Sequence, residues 1–174
     1  MSDLPPSSIR WINADDFIKT AEAARMDPVL RILLTSDGTI TTSIEALTLG
    51  PVGVEVLRQE EVGIEAPAAV FLAAVPGSRA LSREVYLTAN GRRLVCASSV
   101  ILTEGLDRPL LQALRAGRKP LGRLLRESGR PVVRDRLQIA SADGPVWMRR
   151  YRMGLGSKWI GLIQEQFIGF PLPE

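Results

Sequence analysis

Two charged residues, Arg83 and Glu165, lie where the sequence pattern predicts the buried face of a β-strand. Side chains alternate between the two faces of a strand, so every second residue shares a face. The residues that share a face with these charges are apolar: Leu81, Val85 and Leu87 in one strand, and Trp159, Ile163 and Phe167 in the other. A buried guanidinium can grip a carboxylate through two parallel hydrogen bonds, and a buried carboxylate can hold a hydroxyl or a moving proton. We therefore predict a closed pocket for a small carboxylate ligand.

The same two charges also have a purely structural explanation. Arg83 and Glu165 could pair with each other inside the protein, because a buried charge left alone costs on the order of 3–5 kcal/mol. Well-packed apolar residues are often as stable as such a pair, so an inward ion pair suggests a function. Both explanations remain open at this point.

The composition excludes several kinds of site. The 174 residues contain no histidine and one cysteine, Cys96. Histidine-dependent catalytic triads, histidine-ligated metals, intrachain disulfides and thiolate zinc sites are therefore excluded. Any catalysis must use carboxylates, arginines, lysines, hydroxyls and backbone groups, and we expect neither a metal nor a cofactor.

Arginine supplies most of the positive charge. Lysine occurs only at Lys19, Lys119 and Lys158, which leaves 19 arginines among the 22 basic residues. Codon usage in a GC-rich genome explains such a bias, and a nucleic-acid surface is the other explanation. Aromatic residues make up only 5% of the chain, too few for a base-stacking platform, so we expect no nucleic-acid partner.

The chain shows no membrane or secretory signal. Its longest apolar stretch, 68–75, is much shorter than the roughly 20 residues that a membrane-spanning helix needs, and residues 1–5 do not begin a signal peptide. We expect a cytoplasmic, monomeric protein with one domain over 1–174, in which residues 1–12 form a loose tail.

The elements that must position the two charges follow from capping, turn and alternation signals. Helices are predicted from Asn13, from Asp27-Pro28 and through Ile44 and Leu47, and 60–78 is predicted to be a loop. Six strands are predicted, at 52–57, 81–89, 92–103, 131–140, 146–153 and 158–168, with turns at 90–91, 143–144 and 154–157. The fold class is therefore α+β, with a single six-stranded antiparallel sheet, flanking helices and a helical insertion.

The helical insertion covers 107–129. One helix begins at Asp107 and ends at Gly117, and a second begins at Pro120 and ends at Gly129. The shape is that of a helix-turn-helix, and its arginines could be interpreted as a DNA-binding face. A solvated polar face over an apolar stripe is the preferred explanation, and we interpret the pair as a lid.

The turn at 90–91 also predicts a register. If Asn90 and Gly91 form a two-residue turn, Ala89 pairs with Arg92. Arg83 would then lie directly opposite Ser98, on the same inward face.

The order and spacing of several motifs resemble the bacterial chorismate pyruvate-lyase family, which makes 4-hydroxybenzoate and pyruvate from chorismate. The similarity runs from about Ser82 to Leu125 and is weaker elsewhere. Its segments are Arg83-Glu84-Val85, Ala89-Asn90-Gly91, Gly117 to Arg123, Arg149-Arg150, Gln164 to Phe167, Asp27-Pro28 and Asp37 to Glu45.

The resemblance implies a six-stranded sheet with the ligand buried beneath helical flaps. It assigns carboxylate binding to Arg83, an essential glutamate to Glu165, and flap contacts with the substrate to Leu121 and Ile40. Enterobacterial members carry a second ligand-binding arginine where this chain has Ser98. Any of five other arginines could take the place of that second arginine: Arg134, Arg136, Arg149, Arg150 or Arg152.

The function that follows is a cofactor-free lyase that binds chorismate and an aromatic acid product, serving quinone biosynthesis or another phenolic pathway. The alternative is a non-catalytic module that senses a small aromatic acid, since effector-binding domains of bacterial transcription regulators resemble the same architecture. An arginine-rich nucleic-acid binder is a third hypothesis, and it predicts a steep loss of affinity with salt.

Overall fold

The computed structural model describes residues 9–141 and 146–170. Of the predicted tail at 1–12, residues 1–8 lie outside this part, and so does the predicted turn at 143–144. Within the described ranges, no helix is long and apolar enough to cross a membrane.

The front of the chain is helical. Four short helices come first: α1 Ala14–Phe17, α2 Ala21–Arg25, α3 Pro28–Thr35 and α4 Ile40–Thr48. The three predicted helices are confirmed as α1, α3 and α4, and α2 is an additional helix. Asp27 caps α3, because its side chain accepts a hydrogen bond from the Leu30 N–H at 2.9 Å. Later in the chain come α5 Ala66–Leu72, α6 Arg108–Ala116 and α7 Leu121–Glu127. The last two confirm the predicted helical insertion.

A single antiparallel sheet forms the centre of the fold. Its strands are β1 Ile12–Asn13, β2 Gly53–Gly63, β3 Arg79–Ala89, β4 Arg92–Leu102, β5 Val132–Ser141, β6 Trp147–Leu155 and β7 Lys158–Phe167. The strand order is β1-β5-β6-β7-β4-β3-β2. The α+β class is confirmed, but the described sheet has seven strands, so the prediction of six is wrong. The additional strand is β1, which pairs two residues with β5 and is too short to show alternation.

The predicted loop at 60–78 is also wrong, over 60–63 and over 66–72. Strand β2 continues to Gly63, and α5 follows it. A register shift between Val56 and Arg58 interrupts the alternation of side chains in β2. The two-residue sequence pattern therefore ends there, although β2 continues to pair with β3. Helix α5 packs Ala69 and Leu72 against the face of the sheet that the other helices leave uncovered.

The hairpin between β3 and β4 confirms the predicted turn but not the register beyond it. Asn90 and Gly91 have φ of 50° and 74°, as a tight hairpin turn requires, and Ala89 pairs with Arg92. A register shift between Leu87 and Thr88 then moves every later pair by one residue.

As a result, Arg83 lies opposite Ser99, and the prediction that it lies opposite Ser98 is wrong. A one-residue bulge moves each later side chain of β4 to the other face of the sheet. Ser98 consequently lies on the face away from Arg83 and is exposed.

The core on the helix-covered face has two parts. One packs α1–α4 against the ends of β3 and β4 near the hairpin, around Phe17, Leu34 and Val95. The other packs α6 and α7 against the opposite end of the sheet, around Leu114 and Ile160. Arg83 and Glu165 lie on this same face, so the fold places both charges beneath helices.

The N-terminal cap of α6 gives a prediction about the stability of the fold. Asp107 accepts a hydrogen bond from the Leu110 N–H at 2.9 Å. We expect Asp107→Ala to lower the free energy of unfolding by about 1 kcal/mol, measured by urea denaturation, because an N–H at the helix start loses its acceptor. Glu104→Ala is the matched control: it removes the same charge from an exposed residue nearby, and an equal loss there would contradict the cap.

Candidate active site

A cavity lies between the sheet and the first turns of two helices. Five strands contribute the polar residues of its floor: Arg83 from β3, Ser99 from β4, Arg134 from β5, Tyr151 from β6 and Glu165 from β7. The roof is formed by 39–41, at the start of α4, and by 120–122, at the start of α7. The predicted flap residues Ile40 and Leu121 both line this roof, so the structure brings them together with Arg83 and Glu165.

Arg83 is buried, with 3% of its surface exposed, and no carboxylate of the described residues pairs with its charge. Its Nε and Nη2 atoms are buried and lack a hydrogen-bond partner among the described residues. These two atoms form the edge of a guanidinium that can grip both oxygens of a carboxylate. Arg152 uses the same two atoms to bind Asp135, at 2.8 and 2.5 Å.

Burial also affects the charge of Arg83. The pKa of Arg83 is lowered because the surrounding protein replaces water around its charged form. Arginine starts from such a high value that the group remains a cation at neutral pH. The cavity therefore presents an unsatisfied positive edge, which favours a small anion.

Glu165 is equally buried, with 3% of its surface exposed, but it has protein partners. Arg149 Nε donates to its Oε2 at 2.5 Å, and the Tyr151 hydroxyl donates to its Oε1 at 3.3 Å. The buried ion pair within the described residues is thus Arg149–Glu165. The hypothesis that Arg83 and Glu165 neutralise each other is wrong.

Arg149 is held in place from its other side as well. Its Nη1 atom donates to the carbonyl oxygens of Leu33 and Ser36, each at 2.7 Å. Burial alone would lower the pKa of Arg149. The negative charge of Glu165 and the hydrogen bonds that Arg149 makes with Glu165 and Tyr151 outweigh burial, so the pKa of Arg149 is raised. These contacts fix Glu165 between the sheet and the end of α3.

Tyr151 is a site residue that the sequence reasoning missed. It is buried, and burial together with the nearby charge of Glu165 raises its pKa, so the hydroxyl keeps its proton and remains a donor. Its position follows from the pairing of β6 with β7, where Tyr151 lies opposite Ile163 and Arg149 lies opposite Glu165. The predicted turn at 154–157 alone does not give this pairing, because a register shift after Met153 moves the later pairs by one residue.

The remaining candidates divide between the cavity and the opposite face. Arg134 lines the cavity. Arg152 pairs with Asp135, and Arg150 donates to Gln138 at 2.8 Å. Arg136 lies over the ring of Phe71, 5.8 Å from its centre. Of the two serines on β4, Ser99 lines the cavity and Ser98 does not.

The roof is held together by contacts between α4 and α7. Arg123 forms an ion pair with Glu45, and Arg126 Nη1 donates to the Thr42 hydroxyl at 2.7 Å. In α6, Arg115 forms an ion pair with Glu61 of β2. These arginines of the insertion bind other parts of the same chain, which favours the interpretation as a lid over that as a DNA-binding face.

Comparison with known proteins identifies relatives and a shared fold. Residues 34–170 match the family described as chorismate pyruvate-lyase, Rv2949c-like. A protein of Halorhodospira halophila named "Probable chorismate pyruvate-lyase" is 36% identical over 76% of this chain and 68% of its own length. A protein of the same name from Methylococcus capsulatus is 34% identical over 69% of this chain and 74% of its own length.

Among solved structures, the effector domain of PhnF from Mycobacterium smegmatis superposes with a TM-score of 0.61. It is 16% identical and covers 78% of this chain and 91% of that one. At this identity, the likeness concerns the fold alone.

The Arg149–Glu165 pair predicts a large loss of stability when it is broken. We expect Arg149→Met to lower the free energy of unfolding by about 3–5 kcal/mol, because Glu165 would be left as a buried charge without its cation. Arg93→Met is the matched control, since Arg93 pairs with Glu55 on an exposed surface and such pairs contribute at most about 1 kcal/mol. Urea denaturation measures both, and equal losses would contradict the assignment.

The close contact between the two roof segments gives a second prediction. A Cβ atom at Gly122 would lie 2.6 Å from Cγ2 of Thr39, which is too close for two carbon atoms. We expect Gly122→Ala to separate α4 from α7 and to increase proteolysis of the lid, measured by limited trypsin digestion. Gly63→Ala is the control, since a Cβ at Gly63 would meet its nearest atom at 3.5 Å, an ordinary contact; faster digestion of the lid in both variants would contradict a specific contact.

Proposed function

Since the chain belongs to the Rv2949c-like chorismate pyruvate-lyase family, we propose that this cavity is where it removes pyruvate from chorismate to form 4-hydroxybenzoate. The activity is that of a carbon–oxygen lyase. The observation that carries the assignment to this cavity is the unpartnered edge of Arg83 on an enclosed floor shared with Glu165.

The reaction balances without an external reactant. The ether bond between the ring and the enolpyruvyl group breaks, the neighbouring hydroxyl-bearing ring carbon loses its hydrogen, and the enolpyruvyl methylene gains a proton to become pyruvate. The ring becomes aromatic, which supplies the driving force. The protein must therefore bind, orient and exclude water rather than supply electrons.

Arg83 is proposed to hold the ring carboxylate through its Nε and Nη2 atoms. Binding an anion there would remove the cost of a buried unpaired guanidinium, and two parallel bonds would fix the plane of the carboxylate. A substrate fixed in this way reacts faster because its orientation is already set.

Glu165 is proposed to hold the ring hydroxyl. The sheet register supports this role, because it sets Glu165 far enough from Arg83 for a ring to lie between them. Arg83 lies in the row of Ser99 and Ile163, whereas Glu165 lies opposite Ala97. Strand β4 separates the two, so their backbones are about 10 Å apart across the sheet. The carboxylate and hydroxyl of 4-hydroxybenzoate lie at opposite ends of the ring, as this placement requires.

The roof completes the pocket in the proposal. Ile40 and Leu121 would cover the ring with apolar contacts and keep water from the breaking bond, and the lid must open for exchange. We also propose that residues 1–174 act as one cytoplasmic, monomeric domain without a nucleic-acid partner.

An assay with purified protein tests the activity and the role of Glu165. We expect wild type to convert chorismate into equal amounts of 4-hydroxybenzoate, followed by absorbance, and pyruvate, followed with a coupled dehydrogenase. Glu165→Gln should lower kcat by about 100-fold or more, because positioned acid–base groups contribute about that much. A sensor would instead bind 4-hydroxybenzoate, leave chorismate unchanged and keep its affinity in Glu165→Gln, and that result would reject the lyase.

The role of Arg83 has its own readout. We expect Arg83→Gln to weaken 4-hydroxybenzoate binding, measured by calorimetry, by about 10- to 100-fold, the equivalent of a hydrogen bond to a charged group. Arg79→Gln, which removes an exposed arginine from the same strand, should bind like wild type. Unchanged binding in Arg83→Gln would place the carboxylate elsewhere.

A further inference from the structure

Chorismate carries two carboxylates and its aromatic product carries one, so the pocket needs a second cation for the substrate alone. On strand β4, which carries the second arginine in enterobacterial relatives, Ser99 is the polar residue that lines the cavity, beside the apolar Ala97. Among the described residues, the cations that line the cavity are Arg83 and Arg134. We propose that Arg134 binds the enolpyruvyl carboxylate and thereby distinguishes chorismate from 4-hydroxybenzoate. This inference rests on the proposed function.

The contacts of Arg134 leave it able to accept an anion. Its Nη1 donates to the Asp37 carbonyl oxygen at 3.1 Å, and its Nη2 donates to the Thr39 hydroxyl at 3.2 Å. Its Nε is buried and has no hydrogen-bond partner among the described residues. Each Nη carries a second hydrogen, so Nε and Nη2 together can still grip a carboxylate.

The charge of Arg134 is also uncompensated within the described residues. Of the arginines on β6, Arg149 pairs with Glu165 and Arg152 pairs with Asp135, whereas Arg150 donates to the neutral Gln138. Arg134 donates hydrogen bonds to a carbonyl and a hydroxyl and lies close to the ring of Tyr151, and all three groups are neutral. A cation kept without a carboxylate partner at a cavity wall is suited to a ligand anion.

The position of Arg134 matches the shape of chorismate. The ether carbon of the ring is next to the hydroxyl-bearing carbon, so the enolpyruvyl group lies towards Glu165 and away from the ring carboxylate. The guanidinium carbon of Arg134 is 5.7 Å from the centre of the Tyr151 ring, and the Tyr151 hydroxyl contacts Glu165. Across the sheet, Arg134 on β5 and Arg83 on β3 lie on opposite sides of Glu165 on β7.

The proposal also explains how the pocket changes after the reaction. When the ether bond breaks, the carboxylate held by Arg134 leaves with pyruvate, and only the Arg83 end still holds the aromatic acid. Arg134 also bonds to 37–39, which precede α4. The substrate carboxylate would thus reinforce the roof, and the product would not.

Two ligands separate this role from a general effect on the pocket. We expect Arg134→Gln to lower kcat/KM for chorismate by about 10- to 100-fold, because one charged hydrogen-bond pair is lost. The inhibition constant of 4-hydroxybenzoate should change by less than about threefold, as expected when no contact is removed. Arg83→Gln should weaken both ligands.

Arg136→Gln is the matched control, because it removes an arginine from the same strand whose side chain lies over Phe71. It should leave both constants unchanged. Arg134→Lys keeps the charge without the planar edge, and we expect it to retain product affinity while losing part of kcat/KM. Circular dichroism and thermal unfolding establish that each variant is folded; if Arg134→Gln is not, Arg134→Lys carries the test.

The outcomes are distinguishable from a failure of the proposed function. If wild type does not convert chorismate, the lyase itself is rejected. If wild type is active and the folded Arg134 variant keeps full kcat/KM, or weakens substrate and product equally, the lyase stands and the role of Arg134 is overturned.

Discussion

The whole site depends on the cost of burying a positive charge without an anion. Arg83 is enclosed among apolar side chains, and the nearby carboxylate of Glu165 is already paired with Arg149. Within the part of the chain that the structure describes, the charge of Glu165 is thus paired and that of Arg83 is not. A folded domain tolerates a buried unpaired charge when its free energy of unfolding exceeds the cost of burying that charge. An anionic ligand that pairs with the charge then gains affinity.

Local alternation was sufficient to find Arg83 and Glu165, because the direction of a side chain depends only on neighbours in the same strand. Pairing between strands was not predictable to the same degree. One-residue shifts after Leu87 and after Met153 changed the partners of Arg83 and Glu165. A hairpin turn defines the register only up to the first bulge, and nothing local in the sequence marks where that bulge occurs.

The same limit explains the residues that were missed. The role of Arg149 depends on carbonyl groups at the end of α3, more than 110 residues earlier in the chain. Arg134 was only one of five candidates, because its distinction from Arg136 follows from the face that each presents in the folded sheet. The resemblance in fold to a PhnF effector domain gives no help here, since similar folds support different activities and the site decides which one applies.

Strand β7 is the last of the described strands in sequence order, yet it lies in the middle of the sheet. The hairpins on either side of it, β3–β4 and β5–β6, are formed from earlier sequence. During synthesis on the ribosome, these two halves have to wait with exposed edges until residues 158–167 emerge and join them. Folding should therefore be slow and dominated by this late closure, and the nascent chain should depend on chaperone protection during that interval.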